Sequence, residues 1–183
     1  MVKRQDGGRA MNLHDRLNAV TKTKEEVRDA EYKKGYEESY KWVGYFIKEI
    51  QDQLMDKAKH GEYTELVNGK KYIELNYFHV SMKYALGVEF EKFRVISEDG
   101  RSEKIFAKYY VKDQGNYDGF MKRIFEFSQE EDVSCKIVCQ YCTDNCTDKE
   151  MYDFNPVTGF EIPCSNNDEG SIITFYIQCR VTY

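Results

Sequence analysis

Six cysteines are the residues of this 183-residue chain best suited to chemistry, and four of them, Cys135, Cys139, Cys142 and Cys146, crowd into twelve positions. Cys139-Gln-Tyr-Cys142 has the spacing at which two thiolates reach one tetrahedral zinc ion, with Cys146 and Cys164 the candidates to complete a four-sulfur site. A structural zinc is thus the cofactor the spacing suggests, although a second short Cys-x-x-Cys is absent. Two other fates compete. Cys135, Ile137 and Cys139 alternate as the inward residues of a strand do, so these thiols can serve as small buried hydrophobes, or cysteines of the chain can pair as disulfides. A dithiol redox site wants its Cys-x-x-Cys at the start of a helix in a βαβ unit, and this motif has no such setting.

His14, His60 and His79 are scattered along the chain. None has the neighbours of a catalytic triad. Glu31-Tyr32-Lys33 is the nearest approach to the acids and lysine of a metal-dependent nuclease, but it falls where a helix is expected rather than a strand. Asp144, Asp148, Glu150 and Asp153 miss the spacing and glycine of a calcium loop, which leaves a solvated acidic loop. No glycine-rich phosphate loop is present.

The acids matter as a group. The net charge is −5, yet between Glu126 and Gly170 eleven acids face only Lys136 and Lys149, while the chain before that point is slightly basic. A nucleic-acid binder concentrates the opposite charge on one face, so direct DNA or RNA binding is disfavoured and a basic partner is favoured. Glu130, Glu131, Asp132, Asp144, Asp148 and Asp153 are the candidate contacts. Aromatic residues are a second resource, with fifteen tyrosines and one tryptophan. Tyrosine and tryptophan contribute large contact area at little entropic cost, which makes Trp42 and Tyr45, beside and opposite the apolar stripe of their helix, candidate partner contacts.

One element must position most of this. Thr23, followed three residues later by Glu26, is a capping box, and Tyr32, Tyr36, Tyr40, Val43, Phe46, Ile47, Ile50 and Leu54 recur at helical spacing. They predict one amphipathic helix from Thr23 to about Lys59, with Gly35 a place where it could break. A helix this long, about 55 Å at roughly 1.5 Å per residue, must project, bend or meet a partner. Its near-heptad seam suggests a homodimer. Leu13, Leu17 and Val20 predict a short helix before it, packed on the rest.

Beyond Gly61 the period changes. Asn68-Gly69 between two β-prone runs predicts a hairpin with a type I′ turn. Phe78, Val80, Met82, Tyr84 and Leu86 alternate and predict a half-buried strand, and Val88–Ile96 and the run carrying Ile105, Ala107, Tyr109 and Val111 predict two more around the Asp99-Gly100 turn. Asp118 is the candidate N-cap of one short helix carrying Phe120, Met121, Ile124 and Phe125. Val133–Tyr141 and Ile172–Tyr183 read as strands, and Thr143–Gly170 as a long loop or extended cap. The fold class is therefore α+β: a long N-terminal helix with a mainly antiparallel sheet and one short additional helix. Residues 1–10 read as a disordered or appended extension, 11–60 as a helical arm, and 61–183 as the α+β domain with its acidic, cysteine-containing segment at 126–170.

A small, acidic, tyrosine-rich α+β chain without a catalytic constellation resembles, in overall character, the small inhibitor proteins of phages and mobile elements, anti-CRISPR proteins among them. The resemblance covers no alignable motif and transfers no residue roles. It implies a non-enzymatic inhibitor whose acidic surface occupies the basic nucleic-acid channel of a Cas9-like nuclease. The rival from another class is an accessory or regulatory domain organised by zinc at the cysteine cluster. The sequence shows no run of about 20 apolar residues and no signal-peptide core at its N-terminus, so the expected location is the cytoplasm.

Overall fold

The computed structural model describes residues 12–21, 23–101, 103–142, 151–156, 160–162 and 172–183. The capping box forms as expected: the Thr23 hydroxyl accepts from the Glu26 N–H at 3.1 Å and the Glu26 carboxylate accepts from the Thr23 N–H at 2.7 Å. From it helix α2 runs unbroken over Lys24–Lys59, after a short α1 over Leu13–Val20. The stripe is buried from Val43 through Phe46, Ile47, Ile50 and Leu54, whereas Tyr36 and Tyr40 are half-buried and Tyr32 is exposed.

Gly35 is not a break. It is where helix α4, Gln114–Glu130, crosses α2. A Cβ on Gly35 would collide with Asn116, one on Gly115 with the Tyr32 carbonyl, and one on Gly119 with the Tyr36 carbonyl. The two helices therefore touch backbone to backbone, which only glycine permits. Tyr32 donates to Asp118 at 2.8 Å and Tyr40 donates to Glu126, so partners climb together in number and the helices run in the same direction. This corrects the sequence reading of α4 as a short helix capped by Asp118. Its N-cap is Asp113, whose carboxylate accepts from the Asn116 N–H at 2.9 Å, and Asp118 lies inside the helix.

A second correction concerns Phe78–Leu86, which is not a strand. Met82–Leu86 forms helix α3, closed by Gly87 in the left-handed region at φ 64°. Met82, Ala85 and Leu86 are buried and Tyr84 is exposed, because spacings of three and four fit the same residues as well as a period of two. The expected hairpin is present as β1 (Thr64–Glu65) and β2 (Lys71–Tyr77). Its turn is not type I′, since Gly69 alone has positive φ, at 77°. The Gly69 N–H donates to the Leu66 carbonyl and the Asn68 side chain accepts from the Lys70 N–H, as in a three-residue turn closed by a left-handed glycine.

Strands β3 (Val88–Ile96) and β4 (Glu103–Val111) pair around Gly100 as expected. Within the segment expected to be loop or cap, β6 (Met151–Asp153) joins β5 (Ser134–Cys142), and β7 (Phe160–Ile162) joins β4. Strand β8 (Ile172–Thr182) completes two antiparallel sheets ordered β1-β2-β8-β5-β6 and β3-β4-β7. The α+β class with a long N-terminal helix thus holds, with two sheets where one was expected.

Ile73, Leu75 and Tyr77 of β2, Ile137 and Cys139 of β5, and Ile173, Phe175, Ile177 and Cys179 of β8 share one core with the α2 stripe, α3 and α4. The arm is therefore part of the domain from its middle onward. Tyr109 of β4 ties the second sheet to this core through edge contacts with Phe154 and Phe175 at 5.4 and 5.6 Å. From Val43 to Leu54 the stripe expected to seat a second copy is covered from within the chain. Helix α1, expected to pack, instead leaves Leu13, Leu17 and Val20 exposed.

Candidate functional site

Helix geometry, at about 100° per residue, puts Trp42 at the margin of the α2 stripe and Tyr45 on the side opposite to it. Trp42 is 46% exposed and Tyr45 55% exposed. Their rings meet edge to face at 6.3 Å, and Trp42 also lies against Phe46 and His79 at 6.2 and 6.4 Å. His79 in turn sits on Phe46 at 4.9 Å. The tryptophan thus stands on a packed base with its outer face uncovered.

Helix α3 brings a third ring to the same side. The buried Ser39 hydroxyl of α2 donates to the Ala85 carbonyl, which docks α3 on the long helix. Asn116 of α4 donates through Nδ2 to the Tyr84 carbonyl at 3.0 Å, and the Gly87 carbonyl accepts from the N–H groups of Lys112 and Asp113 at 2.9 and 3.0 Å. The Tyr84 backbone is pinned from two sides while the residue is 79% exposed. A groove of about 310 Å³ separates Trp42 from Tyr84, with Glu38, Ser81, Ala85 and Asn116 lining it. A second, of about 370 Å³, lies beyond Tyr84 and is lined by Lys83, Glu89, Lys112 and Asp113. There Glu89 accepts from Lys112 and from the Tyr110 hydroxyl, and these bonds hold its carboxyl below the ordinary range. We call Trp42, Tyr45 and Tyr84 with these grooves the aromatic ledge.

The sequence-derived acids divide. Glu130 and Glu131 end α4 with exposed side chains, Glu130 against Arg123 at 3.3 Å and Glu131 accepting from Gln51 at 3.2 Å. Asp132, also exposed, has φ 51°, the one non-glycine residue in the left-handed region among the described residues. The Val133 N–H then donates back to the Ser128 carbonyl at 3.2 Å, which closes the helix in a Schellman pattern. Asp153 is on β6 and accepts from Lys136 of β5. Asp144 and Asp148 lie outside the described residues.

Of the proposed zinc ligands, Cys139 is fully buried, its sulfur accepting the Tyr109 O–H at 3.1 Å and facing the Tyr152 carbonyl at 3.6 Å. Burial pushes this thiol up, which favours the protonated sulfur over the thiolate a metal requires. Cys142 ends β5, and Cys146 and Cys164 lie outside the described residues. Among the described residues no three His, Cys, Asp or Glu side chains converge as metal ligands. No helix among them is long and apolar enough to cross a membrane.

Sequence reasoning reached Trp42 and Tyr45 but missed Tyr84, which the alternating pattern turned inward. The signal that could have found it was Gly87, a helix-stopping glycine three residues later. The chain matches no family model, no curated protein and no solved structure.

Proposed function

We propose that this protein is a non-enzymatic interaction module that docks a protein partner on the aromatic ledge. The observation that carries the reading is Tyr84: a large amphipathic side chain left in solvent on a backbone held by Asn116 and by the Gly87 turn. Exposed Trp and Tyr on a rigid base, next to grooves that can receive partner side chains, are the usual composition of binding hot spots. The cytoplasm is the location this reading assumes.

The test is capture with immobilised protein from a bacterial lysate, identification of the retained polypeptide, and affinity measurement with the purified pair. Tyr84→Ala and Trp42→Ala should each weaken binding by at least about tenfold, the effect of a modest hot spot. Their unfolding midpoints should stay near the parent's. Equal affinity in the double variant would reject the ledge as the docking surface.

A second reading has its own support. Glycine is the favoured residue at the left-handed position that ends α4, and acids at a helix C-terminus oppose its dipole, yet the chain carries Glu130, Glu131 and Asp132 there. Retaining carboxylates at a local cost fits an acidic surface that engages a basic partner, as in an inhibitor that occupies the nucleic-acid channel of a Cas9-like nuclease. Reversing charge at Glu130 and Glu131, or at Asp144 and Asp148, should then slow association with the captured partner at low salt and matter less as salt rises. Equal association rates at both salts would sink the electrostatic reading and leave the ledge.

A further inference from the structure

The sulfurs of Cys135 and Cys179 lie 3.5 Å apart at directly opposed positions of the β5–β8 ladder. Opposed residues of an antiparallel pair have Cα atoms about 4.5 to 5.5 Å apart, inside the span of about 4.4 to 6.8 Å that a disulfide bridges. Bonding therefore asks for side-chain rotation and a small approach of two strands already paired. Cys179 is fully buried and Cys135 is partly exposed, which assigns them different roles. Cys139, also on β5, is engaged by the Tyr109 hydroxyl.

We propose that Cys135 and Cys179 are a reversible thiol–disulfide pair, oxidised by a small disulfide of the glutathione class. The Cys135 thiolate attacks one sulfur of the oxidised reagent, whose S–S bond breaks and whose other half leaves as a thiol. Cys179, as thiolate, then attacks the Cys135 sulfur of that mixed disulfide and expels the second half. Two protein thiols lose two electrons and two protons, and the reagent takes up both to become two thiols. The hydrogen bond from Cys179 favours the thiolate at Cys135, while that bond and burial hold Cys179 in the thiol form until the mixed disulfide has formed beside it.

The bond would join strands whose bridged residues stand 44 positions apart, which restricts the unfolded chain. It would also pin the start of β5, three residues beyond Asp132, to the central strand of the sheet. Oxidation would thereby stiffen the base of the acidic turn.

The experiment equilibrates the full chain in glutathione buffers of rising oxidised share, quenches with acid and an alkylating agent, and maps disulfides by mass spectrometry. The expected result is loss of two hydrogens, a Cys135–Cys179 linked peptide, and a melting temperature raised by about 10 °C that returns on reduction. Cys135→Ser and Cys135→Ala should show neither the link nor the rise. Free, alkylatable Cys135 and Cys179 at the most oxidising ratio would overturn the proposal, as would a bond mapped to other cysteines or a stable mixed disulfide left on Cys135.

Discussion

Gly119 of α4 lies directly on the carbonyl of Tyr36 in α2, and one turn earlier Gly115 lies on the carbonyl of Tyr32. Helices this close gain dispersion contacts and weak Cα–H···O bonds that larger residues would prevent. Because the obstructing atoms belong to the backbone, they cannot swing away from an added methyl. Gly119→Ala should therefore lower stability by about 2 kcal/mol or more, although alanine favours helix elsewhere. Urea denaturation measures it, and a stabilised variant would show that the helices can separate without loss.

Ile50 is fully buried and Ile47 nearly so, both in the core that α2 shares with the sheet and α4. Truncating either to alanine should cost about 2 to 5 kcal/mol, the range for large-to-small changes in a core. A loss under about 1 kcal/mol in the same denaturation series would mean that the stripe is covered loosely.

Asp132 offers the opposite sign. Its left-handed conformation suits glycine, and its charge sits at the unfavourable end of α4. Asp132→Gly should raise stability by about 0.5 to 1 kcal/mol. If the acidic turn contacts a partner, the same variant should bind it more weakly, a trade that thermal melts and an affinity measurement together would reveal.

Glu74 predicts a pH dependence. The Tyr72 hydroxyl at 2.7 Å and Arg180 at 2.8 Å both donate to its carboxylate and hold its pKa below the ordinary 4.5. A group depressed in the folded state contributes stability above its unfolded pKa and loses that contribution as pH falls through the folded value. Wild type should therefore lose stability more steeply than Glu74→Gln as pH drops from about 5 through the usual carboxylate range and below. Parallel curves of midpoint against pH would remove Glu74 from the account.

From Val43 to Leu54 the α2 stripe is buried in the core shared with α4, α3 and the sheet, which removes that part of the seam from a second copy. Sedimentation velocity should return a concentration-independent monomer. A dimer dispersed by Leu17→Glu would place the contact on the uncovered face of α1.

Sequence alone determined the elements whose signals are local. The Thr23 capping box, the period of the α2 stripe, the Gly100 turn and the strands that became β3, β5 and β8 all rest on hydrogen bonds and side-chain periods within a few residues. Tertiary structure decided what those periods left ambiguous. Whether Met82–Leu86 coils or extends depends on Ser39, Asn116 and the Gly87 turn, which lie on other elements or end the run. Gly35, readable as a helix break, is a packing surface only because Asp113 and Asn116 arrive opposite it from a distant part of the chain. Cys135 and Cys179 meet because β5 pairs β8, a register set by the whole sheet. Such contacts exist only once distant segments share a core, and no window along the chain contains both partners.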